Sequence, residues 1–181
     1  MSGLVAVIGG PLASGKSSLS RATATRLEEV SEAEVAVIDL DVVSEMLDPR
    51  GGPGVPKSDE RLWSQARRVA GRLSAMFLAE GRHVVAEGNF PGDRALRDFE
   101  RELPADARLR LVMLDVAFET ALRRAQADAS RGLSKDASFL SAHYSEFSLR
   151  WREHDVLQLD TGAISLAEAA DAVVMWLTAT E

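Results

Sequence analysis

The residues with the clearest chemical capacity stand near the start of the chain, at Gly10-Pro-Leu-Ala-Ser-Gly15-Lys16-Ser17. Two glycines bracket four residues and are followed at once by a lysine and a hydroxyl. That spacing suits the capture of a polyphosphate, which needs many donors in a small concave space. Glycine permits positive φ and lets backbone N–H groups approach phosphate oxygens closely. Lys16 can reach the β- and γ-phosphates as a point charge, and Ser17 can place its hydroxyl on Mg²⁺.

Such a loop works only if a strand delivers it and a helix leaves it, because the helix N-terminus adds unpaired N–H groups and a favourable dipole. Both are present. Leu4-Val-Ala-Val-Ile8 is a β-branched apolar run, and from Ser17 to Val30 the residues Leu19, Ala22, Thr23 and Leu27 fall near one helical face. The stretch therefore satisfies the P-loop pattern G-x-x-x-x-G-K-[S/T] in its required context. The expected nucleotide contacts are Gly10, Ala13, Ser14, Gly15, Lys16, Ser17 and Ser18.

A single domain over residues 1–181 suits this length, and 46% hydrophobic with 27% charged residues is ordinary for a globular chain. With no cysteine, disulfides and thiolate metal sites are excluded. No basic leader precedes the first strand and no apolar run approaches the ~20 residues of a membrane helix, so the expected address is the cytoplasm, with no membrane partner. A net charge of −7 argues against a polynucleotide partner.

Strand-like runs recur at Leu4–Ile8, Val35–Ile38, His83–Ala86, Leu109–Val116 and Val156–Leu159, with helical periodicity between them. This alternation predicts an α/β fold: a five-stranded parallel sheet with helices on both faces. Ligands then bind beyond the carboxyl ends of the strands. Asp39 and Asp41 stand there after the second strand; if the backbone stays extended they point the same way, and either could instead cap the next helix. Glu87 ends the third strand and is a candidate to help hold a metal. The Gly- and Pro-rich stretch 48–56 reads as a loop beside the site. Residues 58–80 read as a helix with Leu62, Ala66, Val69, Leu73 and Phe77 on one stripe and Arg61, Arg67, Arg68 and Arg72 on other, solvated faces, ended by Gly81. Ser165 and Glu168 have the spacing of a capping box. Tyr144, Phe147 and Trp151 read as core, and His83, His143 and His154 lack metal-ligand spacing.

With these residues in view, the chain resembles the P-loop small-molecule kinases, the group of shikimate kinase, gluconate kinase and chloramphenicol phosphotransferase-like enzymes. The likeness extends over nearly the whole layout and rests on Gly10–Ser17, Asp39-Leu-Asp41, Glu87 and the Arg124–Arg131 region. It implies a three-layer fold with strand order 2-3-1-4-5 and a short lid at about residues 124–137. It implies ATP and Mg²⁺ as cofactors and a small hydroxyl compound as acceptor. By resemblance, Asp41 contacts the acceptor hydroxyl as base, with a helix beginning at Val42. Ser17, Asp39 and Glu87 surround the metal, and Lys16, Arg124 and Arg131 stabilise charge on the transferring phosphate, with Arg123 a substitute for Arg124. Glu87 stands where related chains often carry Asp.

Two other readings stay open. A nucleoside monophosphate or polynucleotide kinase would need arginines at the acceptor pocket, which Arg61, Arg67, Arg68, Arg72, Arg94 and Arg97 could supply. A nucleotide-dependent switch or hydrolase is the other, although a GTPase would carry Asn-Lys-x-Asp and this chain has no Asn-Lys pair. Sequence leaves the acceptor, the choice between ATP and GTP, and the oligomeric state undetermined.

Overall fold

The computed structural model describes residues 3–49, 59–129, 132–146, 151 and 154–179. Five parallel strands form one sheet: β1 (Leu4–Gly9), β2 (Val35–Asp39), β3 (His83–Glu87), β4 (Arg108–Asp115) and β5 (Val156–Asp160). Their spatial order is β2-β3-β1-β4-β5, as the resemblance implies. β1 is central and all six of its residues are buried, because helices cover both of its faces. The helices are α1 (Lys16–Val30), α2 (Leu40–Leu47), α3 (Glu60–Ala79), α4 (Asp93–Glu100), α5 (Phe118–Ala127), α6 (Ala137–Glu146) and α7 (Leu166–Thr178), with a 3-10 turn at Leu133–Lys135.

The pleat sorts the core into two layers. Leu4, Ala6 and Ile8 face α1 and α7, packing with Leu19, Leu27, Val173 and Leu177. Val5 and Val7 face the opposite layer and meet Val43, Ala66, Ala70, Leu96 and Phe99 of α2, α3 and α4. A smaller cluster sits at the carboxyl ends of the strands, where Ala13, Val116, Ala121, Ala125 and Leu140 join the phosphate loop to α5 and α6.

Several sequence expectations hold in detail. The Ser165–Glu168 capping box forms in both directions, with Ser165 N donating to Glu168 Oε2 at 2.8 Å and Glu168 N to Ser165 Oγ at 3.2 Å. Gly81 follows α3 at φ +81°. Residues 50–56 of the Gly- and Pro-rich loop, Ser58 of the expected helix, Phe147 and Arg131 lie outside the described residues.

α3 differs from its expected pattern. Its fully buried face is Ala66, Arg67, Ala70, Gly71 and Ser74, and the larger Leu62, Val69, Leu73 and Phe77 flank it half-buried. Close packing against α4 selects small residues: a Cβ at Gly71 would stand 2.5 Å from the Phe99 carbonyl oxygen. Arg67, expected on a solvated face, has no exposed surface.

Gly88 fixes the approach of β3 to α2. A Cβ there would lie 2.4 Å from Leu40 Cβ, at a φ of +145°. Gly88→Ala should therefore destabilise the fold by about 1–3 kcal/mol, read as a lower urea midpoint with an unchanged denaturation slope.

Candidate active site

The carboxyl ends of β1, β2 and β3 bring the candidate residues to one place. β1 ends at Gly9, the loop follows, and α1 begins at Lys16 with Gly15 as its N-cap at φ +97°. No side chain caps this helix and its first turn carries no acid. Neither a capping side chain nor an acid therefore offsets the positive dipole end of this helix, a setting that suits an anion. Ala13 is the one non-glycine residue with positive φ among those described, at +60°, and the loop closes on itself through Ser14 N to Pro11 O at 3.3 Å.

Lys16 folds across the loop and donates to the carbonyls of Gly10 at 3.0 Å and Pro11 at 2.9 Å. Its neighbour Ser17 hydrogen-bonds the Glu87 carboxylate. Glu87 is 3% exposed and sits in register with Ile8 of β1 and Asp39 of β2. Burial pushes its carboxyl up to about 6, Lys16 and the Ser17 bond oppose the rise, and Asp39 and Asp41 reinforce it. Lys16, Ser17, Asp39, Asp41 and Glu87 therefore share one electrostatic neighbourhood.

Asp39 and Asp41 do not lie on one extended strand, contrary to the expectation from sequence. The backbone is not extended through both: β2 stops at Asp39, and α2 starts at Leu40 rather than Val42. Asp39 is the N-cap, its Oδ1 accepting from Asp41 N at 2.9 Å and Val42 N at 3.4 Å. Asp41 is not the cap; it stands exposed in the first turn. Strand end and helix start, rather than strand alternation, bring the two carboxylates together.

On the other flank lies a cavity of about 260 Å³, lined by Ala13, Ser14, Gly15, Ser18, Arg124 and Thr161 together with the start of α7. Arg124 donates through Nη1 to Thr161 Oγ1 at 3.0 Å and through Nη2 to Thr161 O at 2.6 Å. The expected contacts Ala13, Ser14, Gly15 and Ser18 thus share a wall with Arg124, while Asp41 and Glu87 do not line this cavity. Arg123 instead donates to Thr120 on its own helix at 2.9 Å.

Three solved structures share this arrangement of elements. A sugar kinase from Janibacter sp., solved unliganded, is 17% identical over 98% of this chain and 95% of its own, with a TM-score of 0.74. A gluconokinase from Sinorhizobium meliloti 1021 is 21% identical over 97% and 91%, with a TM-score of 0.71. An APS kinase from Mycobacterium tuberculosis, solved with AMPPNP and APS, is 16% identical over 98% and 99%, with a TM-score of 0.69. This is the P-loop NTPase fold. No protein-family model matches the chain, and no curated protein matches it by sequence.

Within the P-loop NTPase fold, several residues near the site escaped sequence reasoning. Burial first and then Lys16 lower His143 to about 4, which places this α6 side chain in the field of the loop lysine. Its neighbour Tyr144, half-buried against Phe118, donates to Leu12 O at 3.4 Å. Trp151 was read as core and is buried, with its ring against the backbone of Gly9. Arg67 donates through Nε to Asn89 O at 3.0 Å and through Nη1 to Glu60 at 2.8 Å, with Asp98 at 3.9 Å. It thereby ties α3 to the turn just after Glu87. The small residues around it in α3 were the available signal. For Thr161 the signal was its place directly after the last strand.

The arginines invoked for a phosphate-bearing acceptor are differently occupied. Arg67 is buried against two carboxylates, Arg72 pairs with Glu102 at 2.8 Å, and Arg61, Arg68 and Arg94 are exposed.

Glu87 makes stability depend on pH. Its raised carboxyl means that the folded chain binds a proton more tightly than the unfolded chain between about pH 4.5 and 6. The contribution of Glu87 to folding stability should fall as pH rises through that window, by about 2 kcal/mol, and stay level above it, opposite in sign to the gain from the lowered His143. Glu87→Gln should remove the fall, so urea titrations at pH 4.5 and 7 without Mg²⁺ or nucleotide should differ between the two proteins by that amount.

Proposed function

We propose that this chain is an ATP-dependent small-molecule kinase that moves the γ-phosphate of Mg–ATP to an alcohol. The observation that carries the reading is the meeting of an uncapped α1, Lys16 and the Ser17–Glu87 pair with Asp39 and Asp41 at the ends of β1–β3. A donor-rich loop suits the polyphosphate, and the carboxylates beside it suit a divalent cation and an acceptor hydroxyl.

Ser17, Asp39 and Glu87 offer the oxygen ligands that Mg²⁺ prefers. Among the described residues no three His, Cys, Asp or Glu side chains group to hold a metal unaided. That fits an ion held through one or two carboxylates plus substrate phosphates. When bound, Mg²⁺ would neutralise charge between the β- and γ-phosphates.

The chain's own residues supply positioning. The loop amides and Lys16, released from the Gly10 and Pro11 carbonyls, hold the phosphate oxygens. Asp41, exposed in the first turn of α2, takes the proton of the acceptor hydroxyl as its oxygen bonds to the γ-phosphorus. The bond to the β-phosphate bridging oxygen breaks and ADP departs. Arg124 contributes from the nucleotide cavity. Arg131 and the closure of residues 124–137 as a lid rest on the resemblance alone. No helix among the described residues is long and apolar enough to cross a membrane.

The decisive test is transfer of label from [γ-³²P]ATP, with [γ-³²P]GTP in parallel, to a library of hydroxylated metabolites, nucleosides and antibiotics. A labelled alcohol product is expected; phosphate release alone would point to a hydrolase. Lys16→Ala should keep the circular dichroism spectrum while lowering kcat/KM by about 10²-fold or more, given the size of single electrostatic contacts in transition states. Asp41→Asn should retain Mg–ATP affinity and lose transfer by about 10²–10⁴-fold. Unchanged turnover in either variant would remove the corresponding role.

A further inference from the structure

We propose that Thr161 is the positioning residue that aims the Gly15 N–H at a bound polyphosphate, and that Arg124 acts through it. The proposal rests on the nucleotide reading of the loop and adds how one of its donors is oriented.

Thr161 opens the connection from β5 to α7, and its N–H donates to Asp115 O at the end of β4 at 2.9 Å. Its backbone is therefore anchored to the sheet. From there its hydroxyl reaches the loop and donates to Ser14 O at 2.8 Å, while Asp115 O stands farther off at 3.4 Å. A hydroxyl carries one proton, and the nearer carbonyl takes it. Arg124 enforces that choice. A guanidinium can only donate, so its 3.0 Å contact with Thr161 Oγ1 occupies an oxygen lone pair and leaves the proton for Ser14. Its second donation, to Thr161 O at 2.6 Å, holds the residue from the other side.

The consequence follows from peptide geometry. The Ser14–Gly15 bond is trans and planar, so its C=O and N–H point in opposite directions. Drawing the Ser14 carbonyl toward Thr161 turns the Gly15 N–H away from Thr161. Nothing nearer in the chain sets that direction. Gly15 has no side chain, and beyond its immediate chain neighbours and nearby backbone no heavy atom among the described residues lies within 4 Å of where its Cβ would be. α1 has no side-chain cap. The Ser14 hydroxyl is fully buried and has no hydrogen-bond partner, so it does not hold its own peptide. Among the described residues the Gly15 N–H makes no hydrogen bond of its own. A glycine peptide with positive φ can flip at little cost, and the Thr161 hydroxyl is the contact that selects one orientation.

Thr161 also lines the cavity beside the loop, and the test must separate shaping that cavity from orienting the loop. Calorimetry on wild type, Thr161→Val and Thr161→Ser with Mg–ATP, Mg–tripolyphosphate and adenosine does so, because tripolyphosphate meets the loop without a base. Thr161→Val, nearly isosteric but lacking the hydroxyl, should weaken Mg–ATP and Mg–tripolyphosphate by the same factor, about tenfold for one misdirected donor to an anion. Thr161→Ser should restore affinity. In ¹⁵N–¹H spectra the Gly15 amide should move downfield with tripolyphosphate in wild type and much less in Thr161→Val. Thr161→Ala serves the same comparison if the valine variant fails to fold. Equal tripolyphosphate affinity with an equal Gly15 shift overturns the proposal, as does a loss confined to ATP, which would assign Thr161 to the cavity alone. A wild type that takes up neither polyphosphate overturns the nucleotide reading itself, whereas wild-type binding unaltered in Thr161→Val sinks only the role of Thr161.

Discussion

Among the described residues, helix α1 begins without a side-chain cap: no capping hydroxyl, no acid in the first turn, and a glycine at the N-cap. In most helices that deficit is met by a side chain from the chain itself. Here the sheet delivers the loop so that the deficit faces the carboxyl ends of β1 and its neighbours. The site is organised around that unmet demand for negative charge. Lys16, held on the carbonyls of Gly10 and Pro11, covers the loop in the meantime.

The surroundings carry the opposite sign. Glu87, Asp39 and Asp41 crowd together at the ends of β2 and β3, with Lys16 as the cation that opposes the rise of the Glu87 carboxyl. A cluster of carboxylates next to a polyphosphate-binding loop is unfavourable until a divalent cation lies between them. Under the proposed kinase reading, a divalent cation would lie between the carboxylates and the phosphates. The same crowding and the burial of Glu87 give it an elevated titration point beside the loop.

The scaffold holds these groups by packing rather than by many polar bonds. Gly88 lets β3 touch the first turn of α2, so Glu87 and Asp39 meet. Arg67 ties α3 to the turn beyond Glu87, and Thr161 with Arg124 joins the last strand and α5 to the loop. Each of these contacts spans elements far apart in the chain, so the site's geometry is a property of the whole sheet.

Much of this was legible in the residues alone. Strict motif spacing located the loop, and apolar runs of strand length located all five strands, most plainly β1, which is buried on both faces and apolar throughout. The capping box was legible because it is a bond between residues three apart. What local pattern could not convey was every contact made across the sheet. Arg67 looks solvated because a long cation usually is, and only the packing of α3 on α4 and β3 buries it. Asp39 and Asp41 looked equivalent until the end of β2 made one a cap and left the other exposed. Thr161 stands 147 residues from the carbonyl it holds. The sequence by itself determined the alternation of elements and the place of the glycine-rich loop between β1 and α1, since both follow from short-range periodicity and backbone chemistry. Tertiary structure alone decided which carboxylates share a field and which side chains steer the loop, since those depend on strand order and on contacts that no local spacing encodes.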